Sequence, residues 1–155
     1  MHRALPVAFA GLLAALAAAP AAHALSGEQA VAALNAQRAA SGIPAAIAHV
    51  AQWSGWCAQH NAYMRANGGE LTHEETPGAP GYTPEGAQAA ASSVLARGSW
   101  NAGNPWETAP IHLHQLLAPR LDAMGVEDAA GYVCATTRRV RRQARCATRC
   151  CAAAG

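Results

Sequence analysis

The chain has 155 residues, of which 52% are hydrophobic, and its length allows one ordinary domain but excludes two separate cores. The formal net charge of +2 hides an uneven distribution. Residues 25–137 hold nine acidic residues and four arginines, whereas residues 138–155 hold six arginines and no acidic residue. We therefore expect an acidic domain followed by a basic tail, with no specific nucleic-acid binding.

Residues 1–24 have the pattern of a signal peptide. A strongly apolar run covers residues 4–19, and the small-x-small cleavage motif Ala22-His23-Ala24 follows it. The alternative is a transmembrane anchor, but an anchor needs roughly 20 apolar residues and this run is shorter. We therefore expect a secreted protein, periplasmic or extracellular, in which the five cysteines can form disulfides.

Two helices are predicted before residue 67. Ser26 caps the first, with Gln29 as its reciprocal partner, and Gly42-Ile43-Pro44 breaks the helical pattern after about residue 40. The second helix covers about residues 45–66, and its inward face consists of Val50, Trp53, Cys57, His60 and Met64. His60 is therefore predicted to be a packed core histidine that donates a hydrogen bond inward. Asn67-Gly68-Gly69 ends this helix.

Later segments predict a loop, two further helices and a hairpin. Residues 70–86 hold three Pro and three Gly, which is typical of a loop. Thr83-Pro84 begins a helix that continues through GAQAAASSVLA, and Asn104-Pro105 begins another that ends at Pro119. Residues 125–127 and 131–137 have a β-type composition. The chain is therefore predicted to be an α+β protein, with a small antiparallel sheet covered by helices.

The order of the motifs resembles a known family. LNAQRAASGIP and HNAYMRANG on the first two helices are followed by LTH, GYTPEG and the pattern W-x-x-x-P-x-H-x-x-x-L-L-x-P-R-L-x-x-M-G-V. This order is similar to that of the CAP superfamily, which comprises the cysteine-rich secretory, antigen 5 and pathogenesis-related 1 proteins. The bacterial secreted SCP-like branch is the most similar. The resemblance implies an α-β-α sandwich over residues 25–137, with a small antiparallel sheet flanked by helices.

The resemblance also implies a central cleft that is lined by two histidines and two acidic residues. His73 matches the first histidine, Glu85 the first acidic residue and His112 the second histidine. Ala109 stands where the family has its second glutamate, and Glu107 is the nearby substitute.

Each cleft histidine has an alternative interpretation. From the residues alone, His73 is a surface loop residue beside Glu74 and Glu75, where a carboxylate can hold the imidazole. His112 and His114 are two positions apart on a helix, so only one of them can face His73. The family position selects His112.

The function expected from this cleft is binding. Two histidines with one or two carboxylates suit zinc or a similar divalent ion, with His73 and His112 as possible ligands. We expect a secreted domain that binds a small ligand, a divalent metal, a lipid or another cell-envelope component, rather than an enzyme. One alternative is a weak metal-assisted hydrolase that uses His73, Glu85 and His112 with a bound water. The other is a structural or interaction protein of the envelope.

Cysteine positions and the basic tail complete the prediction. Cys57 lies on the inward helix face and Cys134 in the last strand, so we expect them to form a disulfide rather than remain two buried thiols. The tail, residues 138–155, is interpreted as a disordered, solvated end. The alternatives are contact with anionic surfaces through its arginines, or a shifted reading frame. The pairing of the three tail cysteines remains open.

Overall fold

A computed structural model describes residues 24–43 and 46–137. Within these residues the helices are α1 (Gly27–Ala40), α2 (Ala51–Ala66), α3 (Pro84–Ser92) and α4 (Pro110–Leu116). The strands are β1 (Ala48–His49), β2 (Ser93–Arg97), β3 (Ala123–Met124), β4 (Val126–Ala129) and β5 (Tyr132–Thr136). The predicted α+β class is confirmed. Residues 1–23 of the predicted signal peptide and the basic tail lie outside the described residues.

The main sheet has the strand order β2-β5-β4, and both of its pairings are antiparallel. Alternate residues of its strands enter two separate cores, because successive side chains of a strand point to opposite faces. One face packs with α1, through residues that include Val94, Val133 and Leu34. The other face packs with α2 and α3, through residues that include Leu95, Cys134 and Ala89. Helices therefore cover both faces of the sheet.

Local sequence signals account for several element ends. The side chain of Ser26 accepts from the Gln29 amide, and the Gln29 side chain accepts from the Ser26 amide, which confirms the predicted capping box. The Thr83 hydroxyl accepts from the Gly86 amide and caps α3 as predicted. The hairpin between β4 and β5 is also confirmed, with Ala130 and Gly131 at positive φ in its turn.

Three predicted helices are shorter in the structure, and strands replace part of two of them. The predicted start of the second helix, at about residue 45, is wrong because β1 precedes α2 and pairs in parallel with β3. The predicted continuation of the third helix through SSVLA is also wrong. Only Ser92 of that segment belongs to α3, and the rest lies in β2, whose five residues all pair with β5. Sheet pairing thus overrides a helical pattern that rested mainly on alanines.

The predicted helix from Asn104 begins later, at Pro110. The Asn104 side chain accepts from the Trp106 amide, and the Trp106 indole donates to the Leu95 carbonyl at 3.0 Å. A side chain that bonds the local backbone competes with helix formation. Here these bonds hold the Trp106 ring in the core between the sheet and α1, which we call the α1-side core.

The predicted disulfide between Cys57 and Cys134 is confirmed, and it joins α2 to β5 across 77 residues. Both cysteines are completely buried. Gly125 allows the first turn of α2 to approach the sheet, because a Cβ there would lie 2.4 Å from the Ser54 nitrogen. Among the described helices, none is long and apolar enough to cross a membrane.

Candidate functional site

The imidazole of His60 is buried in the middle of α2 and bonds to the loop that follows this helix. Its Nδ1 lies 2.8 Å from Glu75 Oε1, and its Nε2 lies 2.8 Å from the Thr72 carbonyl oxygen. The prediction of a packed histidine that bonds inward is confirmed. His60 thus bonds residues on both sides of His73.

Glu75 completes this buried connection. Its side chain is fully buried, and its second oxygen accepts from the Thr83 amide at 3.2 Å. Gly86 in the first turn of α3 makes room for the carboxylate, because a Cβ there would lie 2.6 Å from Glu75 Oε1. A buried carboxylate requires such partners, since isolated burial of a charge is strongly unfavourable. Glu75 therefore joins α2, the loop and the start of α3.

Other α2 side chains fix the rest of the loop. Tyr63 accepts from the Thr76 amide at 2.9 Å, and Gln59 accepts from the Thr83 hydroxyl at 2.5 Å. Asn67 donates to the Pro80 carbonyl at 2.8 Å. The Pro/Gly-rich segment is thus an ordered loop, bound along its length to α2.

His73 lies on this loop and is exposed to solvent. Its Nδ1 is 2.9 Å from the Ala90 carbonyl oxygen near the end of α3. A carbonyl can only accept, so Nδ1 carries a proton, and in the neutral imidazole Nε2 keeps its lone pair. The Ala90 carbonyl is one of the last four of α3, which have no partner within the helix. The partner of His73 is therefore a helix end and neither of the adjacent glutamates.

One partly buried hydrogen bond does not order a loop by itself. A typical intramolecular bond contributes about 0.5–1.5 kcal/mol, whereas fixing the backbone of one residue costs about 1–2 kcal/mol. The position of His73 therefore depends on the other bonds of the loop. The result is an imidazole whose orientation is fixed and whose Nε2 makes no hydrogen bond within the described residues. Histidines that bind metals or act as bases usually have this arrangement.

Glu85 lies in the first turn of α3 and is exposed. His73 binds the same helix at Ala90, five residues further on. At a rise of about 1.5 Å per residue, this separation is about 7.5 Å along the helix axis. The two contact points also differ by about 140° around the helix axis, so His73 and Glu85 suit a ligand of several atoms better than a single shared ion.

The other predicted cleft residues lie on the segment that packs with α1. His112 is partly buried in α4, whose Leu116 enters the α1-side core. Glu107 is exposed in the turns before α4. Arg38 of α1 donates to the carbonyls of Leu116 at 2.7 Å and Ala118 at 3.1 Å, and burial lowers the pKa of Arg38. His112 and His73 are thus held by elements that pack on different faces of the sheet.

Within residues 24–43 and 46–137, no three His, Cys, Asp or Glu side chains converge as a set that could hold an ion. Any ion bound at His73 would therefore take most of its ligands from water or from a second molecule. Such binding is weaker than at a structural zinc site, where four protein ligands surround the metal.

A Ser-His pair that the sequence analysis did not identify joins β1 to α2. His49 Nε2 lies 2.9 Å from Ser54 Oγ, which also accepts from the Val126 amide. This resembles a nucleophile with its base, but Gly27 fills the adjacent space. A Cβ at Gly27 would lie 2.7 Å from Ser54 Oγ and 2.9 Å from His49 Nε2. The pair therefore joins β1, α2 and β4, with α1 packed against it. This packing leaves no room for an acyl substrate.

No protein-family model, curated protein or solved structure matches this chain. The geometry of its own residues therefore provides the basis for a functional proposal.

Proposed function

We propose that this protein is a secreted, CAP-like α-β-α domain that binds a small ligand of the cell envelope through His73. The observation that carries the proposal is the exposed imidazole of His73, whose Nδ1 bonds the Ala90 carbonyl and whose Nε2 is left with a free lone pair. Helices on both faces of the sheet and the buried disulfide agree with such a domain.

The surroundings of His73 favour a ligand that is cationic or donates hydrogen bonds. Nε2 accepts a hydrogen bond or coordinates a divalent ion, but with Nδ1 as the donor it does not itself donate. Three exposed carboxylates lie on the same loop and on the start of α3, those of Glu70, Glu74 and Glu85. An ammonium group, a hydroxyl-rich headgroup or a weakly held divalent ion suits this combination.

The distance between His73 and Glu85 further limits the ligand. With about 7.5 Å of helix between their attachment points, one molecule that contacts both must be several atoms long. We therefore propose an extended polar ligand with a donor at each end, and binding rather than catalysis. The family resemblance alone assigns His112 to the cleft, while α4 packs on the other face of the sheet, so its contribution is tested separately.

Isothermal titration calorimetry with two probes, Zn²⁺ alone and ethanolamine alone, tests the proposal. We expect measurable binding of at least one probe to the wild-type protein and a loss of at least tenfold in affinity in His73→Ala. His114→Ala is the matched control, because His114 is an exposed histidine outside the proposed cleft. His112→Ala reports whether α4 takes part. Equal affinities of the wild type and His73→Ala would contradict the proposal.

A further inference from the structure

We propose that buried His60 is a positioning residue for His73. This inference deepens the proposed function and rests on it, because the orientation of His73 matters only if its free nitrogen binds a ligand. His60 has no exposed atom with which to contact such a ligand, since it is completely buried. It acts through the His73 segment, which we define as Thr72–Glu75.

His60 holds both ends of the His73 segment with one ring. Nε2 donates to the Thr72 carbonyl and Nδ1 bonds the Glu75 carboxylate, each at 2.8 Å. Inside the segment, the Thr72 hydroxyl accepts from the Glu74 amide at 3.1 Å and forms a tight turn. Residues on either side of His73 are therefore fixed to the same rigid ring on α2.

This geometry determines where the His73 imidazole can reach. α2 supplies the fixed point, the His73 segment projects from it, and His73 Nδ1 meets the Ala90 carbonyl on α3. Release of either end would free the backbone beside His73, and the single partly buried hydrogen bond to Ala90 would then have to offset the restored backbone entropy. His73 would lose its bond to Ala90 and, with it, the fixed proton on Nδ1.

The two hydrogen bonds of His60, to Thr72 and to Glu75, form what we call the His60 clamp. The number of protons that these two bonds require provides a matched control. A carbonyl only accepts and an ionised carboxylate only accepts, so the two bonds of His60 contain two protons shared by the ring and Glu75. A glutamine at position 75 needs one proton fewer on the ring. Its amide can donate to His60 Nδ1 while its oxygen accepts from the Thr83 amide, and His60 Nε2 still donates to Thr72. Glu75→Gln therefore preserves the clamp, whereas Glu75→Ala breaks it.

Nitrogen NMR of histidine-labelled protein at about pH 7.5, where an ordinary imidazole is mostly neutral, tests this inference without a ligand. We expect the Nδ1-H tautomer of His73 in the wild type and in Glu75→Gln. We expect the tautomer mixture of an unrestrained imidazole in His60→Leu and in Glu75→Ala. Gln59→Ala removes a loop contact outside the His73 segment and should keep the wild-type tautomer.

The tautomer separates positioning from a purely structural role, which would change stability alone. If His60→Leu does not fold, Glu75→Ala decides the result, because it leaves the bond between His60 and Thr72 in place. A retained Nδ1-H tautomer in the folded clamp variants, or its loss in Glu75→Gln, would overturn the inference. Since no ligand is present, failure here is distinct from a failure of His73 to bind Zn²⁺ or ethanolamine.

Discussion

Removal of the Cys57–Cys134 disulfide should strongly destabilise the domain. The bond closes a loop of 77 residues, and the entropy of closing a loop of that length corresponds to about 4.5 kcal/mol at 25 °C. Small domains are stable by only about 5–15 kcal/mol, so this loss is a large part of the total. With a urea m-value of about 1.5–2 kcal/mol/M, the unfolding midpoint should fall by about 2–3 M.

Urea unfolding, followed by circular dichroism, measures this effect in two ways. The double variant Cys57→Ala/Cys134→Ala should match wild-type protein that has been reduced in denaturant and refolded in reductant. Wild-type protein exposed to reductant without denaturant is the control. It should keep its oxidised stability, because both sulfur atoms belong to completely buried residues. A midpoint shift equivalent to less than about 1 kcal/mol would refute the loop-entropy reasoning.

Four further substitutions test local features by thermal or urea unfolding. Gly86→Ala should destabilise the domain by about 1–3 kcal/mol, because the new Cβ would overlap the Glu75 carboxylate. Gly55→Ala should stabilise it by about 0.5–1 kcal/mol, because Gly55 has open space around it in α2. Equal effects of the two substitutions would contradict this packing. Ser26→Ala should cost about 1 kcal/mol through loss of the capping box, and no change would refute that role. Burial, and secondarily the neighbouring Asp128, raises the pKa of Glu127. The pKa of Glu127 is thus higher in the folded protein than in the unfolded chain. The free energy of unfolding therefore falls as pH rises from the unfolded-state pKa to the folded-state pKa. Glu127→Gln should be more stable than wild type at pH 7, by less than about 1 kcal/mol because the side chain is partly exposed, and the two should converge below about pH 4. A difference that is independent of pH would contradict this assignment.

Sequence patterns predicted the elements whose signals are local. The capping box at Ser26, the cap at Thr83 and the turn before β5 each depend on a few adjacent residues, and all three are confirmed. The β2 strand was missed because its pairing with β5 joins residues about 40 positions apart. Alanine-rich sequence before it favours a helix, and only the distant partner strand stops that helix at Ser92.

The candidate site was predicted in part. The sequence indicates that His60 is a core residue, and its helical face alone is enough to show this. Its bond to Glu75 could not be predicted, because the irregular segment of residues 67–74 lies between α2 and Glu75 and gives no period from which to place a side chain. For the same reason, the Ala90 carbonyl could not be predicted as the partner of His73. The sequence places carboxylates beside His73, but the end of α3 offers a carbonyl with no bond inside the helix.

The most direct test of the proposed site is the nitrogen NMR signal of His73 Nε2 during titration with Zn²⁺. If Nε2 is the ligand-binding atom, its signal should shift progressively with Zn²⁺ while Nδ1 remains protonated on the Ala90 carbonyl. The ring nitrogens of exposed His114 should shift far less. An unchanged Nε2 signal of His73 in this titration and in a parallel titration with ethanolamine, or an equal shift at His114, would contradict the proposed function.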